Sequence, residues 1–193
     1  VEIFKNCYNN KRDVNQVKEP RPMKCVKGDL IQLAREGRFD LIIHGCNCFC
    51  TMDAGIAKQI RTHFPAAWEA DLATVSGDRS KLGSFSKAYV NTPSGKLYVI
   101  NAYTQYHYSG DGVLVDYDAI TKVFTTLKKQ FSGNRMGYPK IGAGLAKGDW
   151  KIISKIIDSA LEGEAHTLVE LKKLKNNQIR ICTIAYFILV FGH

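Results

Sequence analysis

Leu41-Ile42-Ile43-His44-Gly45, with Gly55-Ile56-Ala57-Lys58-Gln59-Ile60 further on, is the stretch from which the fold is read. A short apolar run closed by glycine reads as a buried strand. Residues 41–43 therefore predict a strand, 45–54 a loop, and the residues from Gly55 a helix that Pro65 ends or kinks. The same order recurs later. Arg135-Met136-Gly137-Tyr138-Pro139-Lys140 predicts a strand, Ile141-Gly142-Ala143-Gly144-Leu145-Ala146 a small-residue loop, and Asp149 to Leu161 an amphipathic helix. Main-chain N–H groups at a strand-to-helix junction lack partners, and the helix dipole places positive charge there. Small side chains let the backbone approach a phosphate. Two such loops at one sheet edge would bracket a diphosphate. Taken singly, each is equally explained by glycine serving turn geometry.

Outward from these loops, strands and helices alternate. Met23 to Lys27 predicts a first strand, and Asp29 can cap a short helix running to about Gly37. Ala66 to about Val75 reads as helix. Ser84–Asn91 and Lys96–Asn101 flank the hairpin signal Thr92-Pro93-Ser94-Gly95. A polar-aromatic loop spans 103–115, a helix begins at Asp116, and Thr167 to Leu171 is a last strand. This order predicts an α/β protein with a mixed, mostly parallel sheet covered on both faces. The division is an N-terminal extension 1–22, a domain 23–171 and a C-terminal tail 172–193.

Hydrophobic residues at 45% and charged residues at 23% exclude wholesale disorder. The net charge of +9 points to nucleic acid until it is located. Residues 1–27 carry seven Lys/Arg against three acids, residues 172–193 four against none, and the region between is nearly neutral. Charge confined to the ends reads as solvated flank, so nucleic acid is not the expected partner. No apolar run is long enough to span a bilayer, and Val1 to Asn6 shows no secretory apolar core. A cytoplasmic monomer that meets no membrane is the expectation. Cys46, Cys48 and Cys50 alternate without the spacing of a zinc knuckle, so they read as small buried packing residues, with no metal and no cofactor. Neither a Walker lysine nor a GxGxxG pattern occurs.

Ile42-Ile43-His44-Gly45-Cys46-Asn47 with Ala54-Gly55-Ile56-Ala57 resembles the first ligand loop of macro domains, and Tyr138-Pro139-Lys140-Ile141-Gly142-Ala143-Gly144-Leu145-Ala146 their second. Lys27-Gly28-Asp29-Leu30 is similar to their opening strand-turn. Within the family the chain looks like the branch that processes ADP-ribose 1''-phosphate. The resemblance implies a three-layer α/β/α sandwich on a mixed central sheet. It implies that Asp29, with Leu30, receives the adenine, where the residue alone reads equally as a helix cap. It places Asn47 on the terminal ribose, where the alternative is a loop asparagine. Gly55, Ile56 and Ala57 would offer N–H groups to the diphosphate, and Gly142, Ala143, Gly144, Leu145 and Ala146 would clasp it from the other side.

Three departures bear on chemistry. Asp53 stands where relatives carry glycine, and a carboxylate there either repels phosphate or serves as an acid/base group. Ala57 and Ala146 replace the aspartates of two ADP-ribosyl hydrolase branches, which disfavours both activities. Removing a phosphate needs a proton donor or acceptor. The candidates are His44, Asn47, Asp53 and His107, the histidines reading alternatively as a strand-end and a surface-loop residue. The expected function is binding of ADP-ribose with removal of phosphate from ADP-ribose 1''-phosphate. A non-catalytic ADP-ribose reader is the alternative.

Overall fold

The computed structural model describes residues 23–172; the two ends assigned above as extension and tail lie outside these. The elements run β1 (Lys24–Lys27), α1 (Leu30–Arg35), β2 (Leu41–Asn47), α2 (Gly55–His63), α3 (Pro65–Leu72), a 3-10 turn (Arg79–Lys81), β3 (Phe85–Thr92), β4 (Gly95–Gln105), α4 (Tyr117–Phe131), β5 (Met136–Tyr138), α5 (Trp150–Ala160) and β6 (His166–Glu170). The strands form one sheet in the order β1-β6-β5-β2-β4-β3. Five strands are parallel neighbours, and only β3 runs antiparallel, joined to β4 by the Thr92–Gly95 turn.

The side-chain alternation of a strand sorts the core into two layers. Leu41 and Ile43 of β2 meet Val123, Phe124 and Leu127 of α4 and Ile153 and Ile157 of α5. Ile42 faces the other way, onto Leu30, Ile31, Ile60 and Ala67 of α1, α2 and α3. The molecule is therefore a three-layer α/β/α sandwich. Because β1, β6, β5, β2 and β4 are parallel, their carboxyl ends share one edge, and both glycine-containing loops emerge there, from the adjacent strands β2 and β5.

Two differences from the sequence reading matter for the site. β2 continues through Asn47, so His44 is an interior strand residue rather than its end. β4 continues to Gln105, which carries the start of the aromatic loop to the same edge as β2.

Candidate functional site

A cleft of about 510 Å³ opens at this edge between the two loops. The first wall holds Asn47, Thr51, Asp53, Ala54, Gly55, Ile56 and Ala57; the second holds Pro139, Lys140, Ile141, Gly142, Gly144, Leu145 and Ala146; Gln105 and Tyr108 close one end. The walls nearly touch, since a Cβ added to Gly55 would lie 3.9 Å from Leu145 Cδ1.

The main chain supplies the donors. Asp29, Asp116 and Asp149 cap α1, α4 and α5 through side-chain bonds to Gln32, Ala119 and Lys151 N–H. The residue before α2 is Ala54, which has no side chain to cap with, and the helix start opens into the cleft. In the facing loop the N–H groups of Gly142, Gly144, Leu145 and Ala146 meet no acceptor among the described residues. Gly142 holds φ +73°, and a Cβ there would fall 2.6 Å from Val115 Cγ2, so the turn requires glycine. Gly144 has open space where a Cβ would stand. The Ala146 carbonyl accepts Leu114 N–H at 2.9 Å, which ties this loop to the segment leading into α4.

Other residues singled out from the sequence fall in different places. Asn47 lines the cleft, yet its amide shapes its own loop: Nδ2 donates to Thr51 O (3.1 Å) and Oγ1 (2.8 Å), and Oδ1 accepts Phe49 N–H (2.8 Å). A single Oδ1 lone pair is left for a ligand. Asp53 is at the cleft, exposed, and ion-paired with Arg61, whose guanidinium lies 3.7 Å over the Trp68 ring. Ala143 stands in the second loop behind the lining and packs against the core. Asp29 caps α1, and Leu30 puts its side chain into the core; both sit at the end of β1, outside the lining.

His44 is a correction. It is fully buried under α3, and its Nε2–H donates to Asn101 Oδ1 at 2.7 Å. Asn101 in turn donates to Ala67 O at 2.7 Å. Burial pushes the His44 pKa down to about 4, so a neutral imidazole holds the sheet to α3 and does not reach the cleft. His107 is not among the lining residues either. Its Nδ1 accepts Ser109 N–H at 3.1 Å, and its ring stacks on Tyr108 at 4.3 Å. The cysteines divide: Cys46 and Cys48 are buried as expected, whereas Cys50 adopts φ +57° and is partly exposed.

Thr51, Gln105, Tyr108 and Lys140 line the cleft without having been singled out as site residues. Gln105 and Tyr108 follow from the strand order, because β4 lies parallel beside β2 and must end at the same edge. Lys140 pairs with Glu170 at 2.7 Å. Among the described residues no cluster of His, Cys, Asp and Glu could hold a metal, and no helix is long and apolar enough to cross a membrane.

No protein-family model matches the chain. It is 40% identical over 143 residues to the uncharacterized 17.5 kDa protein of the tk-vs intergenic region of enterobacteria phage T4, covering 71% of this chain and 88% of that one. Among solved structures, the macrodomain of Mycobacterium tuberculosis DarG superposes with a TM-score of 0.59 at 19% identity, covering 76% of this chain and 96% of the other. Thermosipho africanus DarTG in complex with ADP-ribose does so with a TM-score of 0.59 at 15% identity, over 84% of this chain and 47% of that one. At these identities the likeness is one of fold.

Proposed function

The chain belongs to the same family as the 17.5 kDa phage T4 protein and has the macrodomain fold, and from this we propose that its cleft binds ADP-ribose. The observation that carries the reading is the uncapped start of α2 facing the unpartnered N–H groups of the 142–146 loop. Main-chain N–H groups left open at a helix start and in a glycine loop are a ready anion site, and a diphosphate would satisfy both sets together. The adenosine end would extend toward Asp29 and Leu30 at the neighbouring strand end, and the distal ribose toward Asn47, Thr51 and Asp53. Thermosipho DarTG, about half of whose chain shares this fold, is in complex with ADP-ribose, which supports this ligand.

Removal of phosphate from ADP-ribose 1''-phosphate is the second reading. Asp53 and Arg61 favour it, being a carboxylate and a guanidinium paired at the cleft. Such a pair could accept a proton from water and neutralise phosphate charge, with no part played by His44. Gly144→Val tests the binding. A branched side chain fits the fold there but fills the approach to the N–H groups, so calorimetric titration should show ADP-ribose binding in the parent and none in the variant, with unchanged melting. A parent that takes up no ADP-ribose at millimolar concentration defeats the proposal. Phosphate release from ADP-ribose 1''-phosphate, lost in Asp53→Asn, separates the enzyme from a reader.

A further inference from the structure

Away from the cleft lining, one buried polar cluster has no part in the proposed binding. Lys81 is 7% exposed, and its Nζ donates to Cys48 O at 3.1 Å and to Cys50 Sγ at 3.2 Å. The same Nζ lies 4.4 Å over the Tyr103 ring and 3.7 Å from Asp71 Oδ1. Asp71 is 1% exposed; Tyr103 Oη donates to its Oδ1 at 2.8 Å, while its Oδ2 meets no partner among the described residues. Burying an ammonium is expensive unless it is well paired, and here its partners include a thiol.

That thiol differs from its neighbours. Cys46 and Cys48 are buried, and burial pushes both thiols up. Cys50 is partly exposed and free, on a left-handed turn between Asn47 and Asp53. Its sulfur donates to Asp71 O at 3.2 Å and lies 3.2 Å from the Lys81 nitrogen, so a nucleophile is already held against it.

We propose that Cys50 and Lys81 are an oxidative crosslinking site, closed by hydrogen peroxide as an S–N bond. Peroxide first converts the Cys50 thiol to sulfenic acid, releasing one water. The Lys81 ammonium passes one proton to the Asp71 carboxylate, whose Oδ2 is unoccupied, and becomes an amine. Its lone pair attacks the Cys50 sulfur; the N–S bond forms and the S–O bond breaks. Hydroxide leaves with a second proton from nitrogen as water, and the sulfenamide keeps the third. Sulfur is oxidised and peroxide is reduced; no other reagent is needed. The bond pins the first cleft loop to the 3-10 turn at Arg79–Lys81, and a thiol reductant reopens it.

The test is peptide mapping of the full chain after hydrogen peroxide, by mass spectrometry without reduction. The expected product is a peptide pair joined at Cys50 and Lys81, lighter than the sum of its parts by two hydrogen atoms. It resists trypsin after Lys81 and is released by dithiothreitol. Lys81→Arg keeps the cation but has no attacking amine, so there Cys50 should run on to sulfinic acid. Cys48→Ser should leave the crosslink intact. In the unmodified chain, Cys50 recovered as sulfinic acid or joined to another cysteine, with Lys81 free, overturns the proposal. This readout needs no cleft ligand.

Discussion

His44 shows how one residue changes role when a strand is longer than expected. As the last residue of β2 it would face a ligand; three residues further back it lies beneath α3, bonded to Asn101. Its pKa is lowered to about 4 in the folded chain, against about 6.5 unfolded. Between these values the unfolded chain binds a proton that the folded chain does not, so stability is full above pH 6.5 and is lost as pH falls toward 4. From pH 6.5 to 5 this one residue should remove about 2 kcal/mol. His166, also lowered by burial, acts in the same direction. Urea unfolding at the two pH values should show the loss, and His44→Gln, which keeps a donor for Asn101, should reduce it without altering ADP-ribose affinity. Asp53 makes a different prediction. It is exposed and paired with Arg61, so its charge is partly screened. Asp53→Asn frees the guanidinium and should tighten ADP-ribose binding severalfold by titration; Arg61→Gln should weaken it. If both variants bind as the parent does, the pair lies too far from the ligand to act on it.

At the scale of the element, α2 begins at the cleft with no side chain capping its first N–H groups. The residue at Ala54 has the extended backbone of an N-cap, φ −137° and ψ 160°, so a capping side chain would fit there without strain. Ala54→Asp should therefore stabilise the fold by about 1 kcal/mol. The same carboxylate would occupy the donors and place negative charge where the diphosphate is proposed to sit. ADP-ribose affinity should fall at least about fivefold. Denaturant unfolding and calorimetry on one variant would thus move in opposite directions. A more stable protein with undiminished affinity would remove the α2 start from the binding site. Asp116→Ala is the control: it breaks the bond to Ala119 N–H at 2.8 Å, should cost about 1 kcal/mol, and should leave the ligand alone.

Across the whole molecule, the sheet was legible because its parallel strands are apolar runs separated by amphipathic helices with aspartate caps. The cleft walls were legible because glycine and alanine there do a backbone's work, which sequence displays directly. The remainder depended on register. Where β2 and β4 stop is set by pairing with neighbours, and no local pattern marks Asn47 or Gln105 as the last residue. That uncertainty misplaced His44 and hid Gln105 and Tyr108. Hydrogen bonds within a loop are similarly invisible, so Asn47 gave no sign that Thr51 occupies its amide. The charge distribution leads to the last prediction. Among the described residues the cleft is lined by one cation, Lys140, already paired with Glu170, and one anion, Asp53, paired with Arg61. An anion held by N–H dipoles releases few counterions. ADP-ribose affinity should therefore change only about severalfold between 50 and 200 mM salt, where a nucleic acid gripped through 6–10 phosphates would lose about 10³–10⁵. Titrations of ADP-ribose and of a single-stranded RNA across that range place the ligand: a flat profile for ADP-ribose fits the cleft, and a steep one for either ligand would move the binding to the lysine- and arginine-rich ends of the chain.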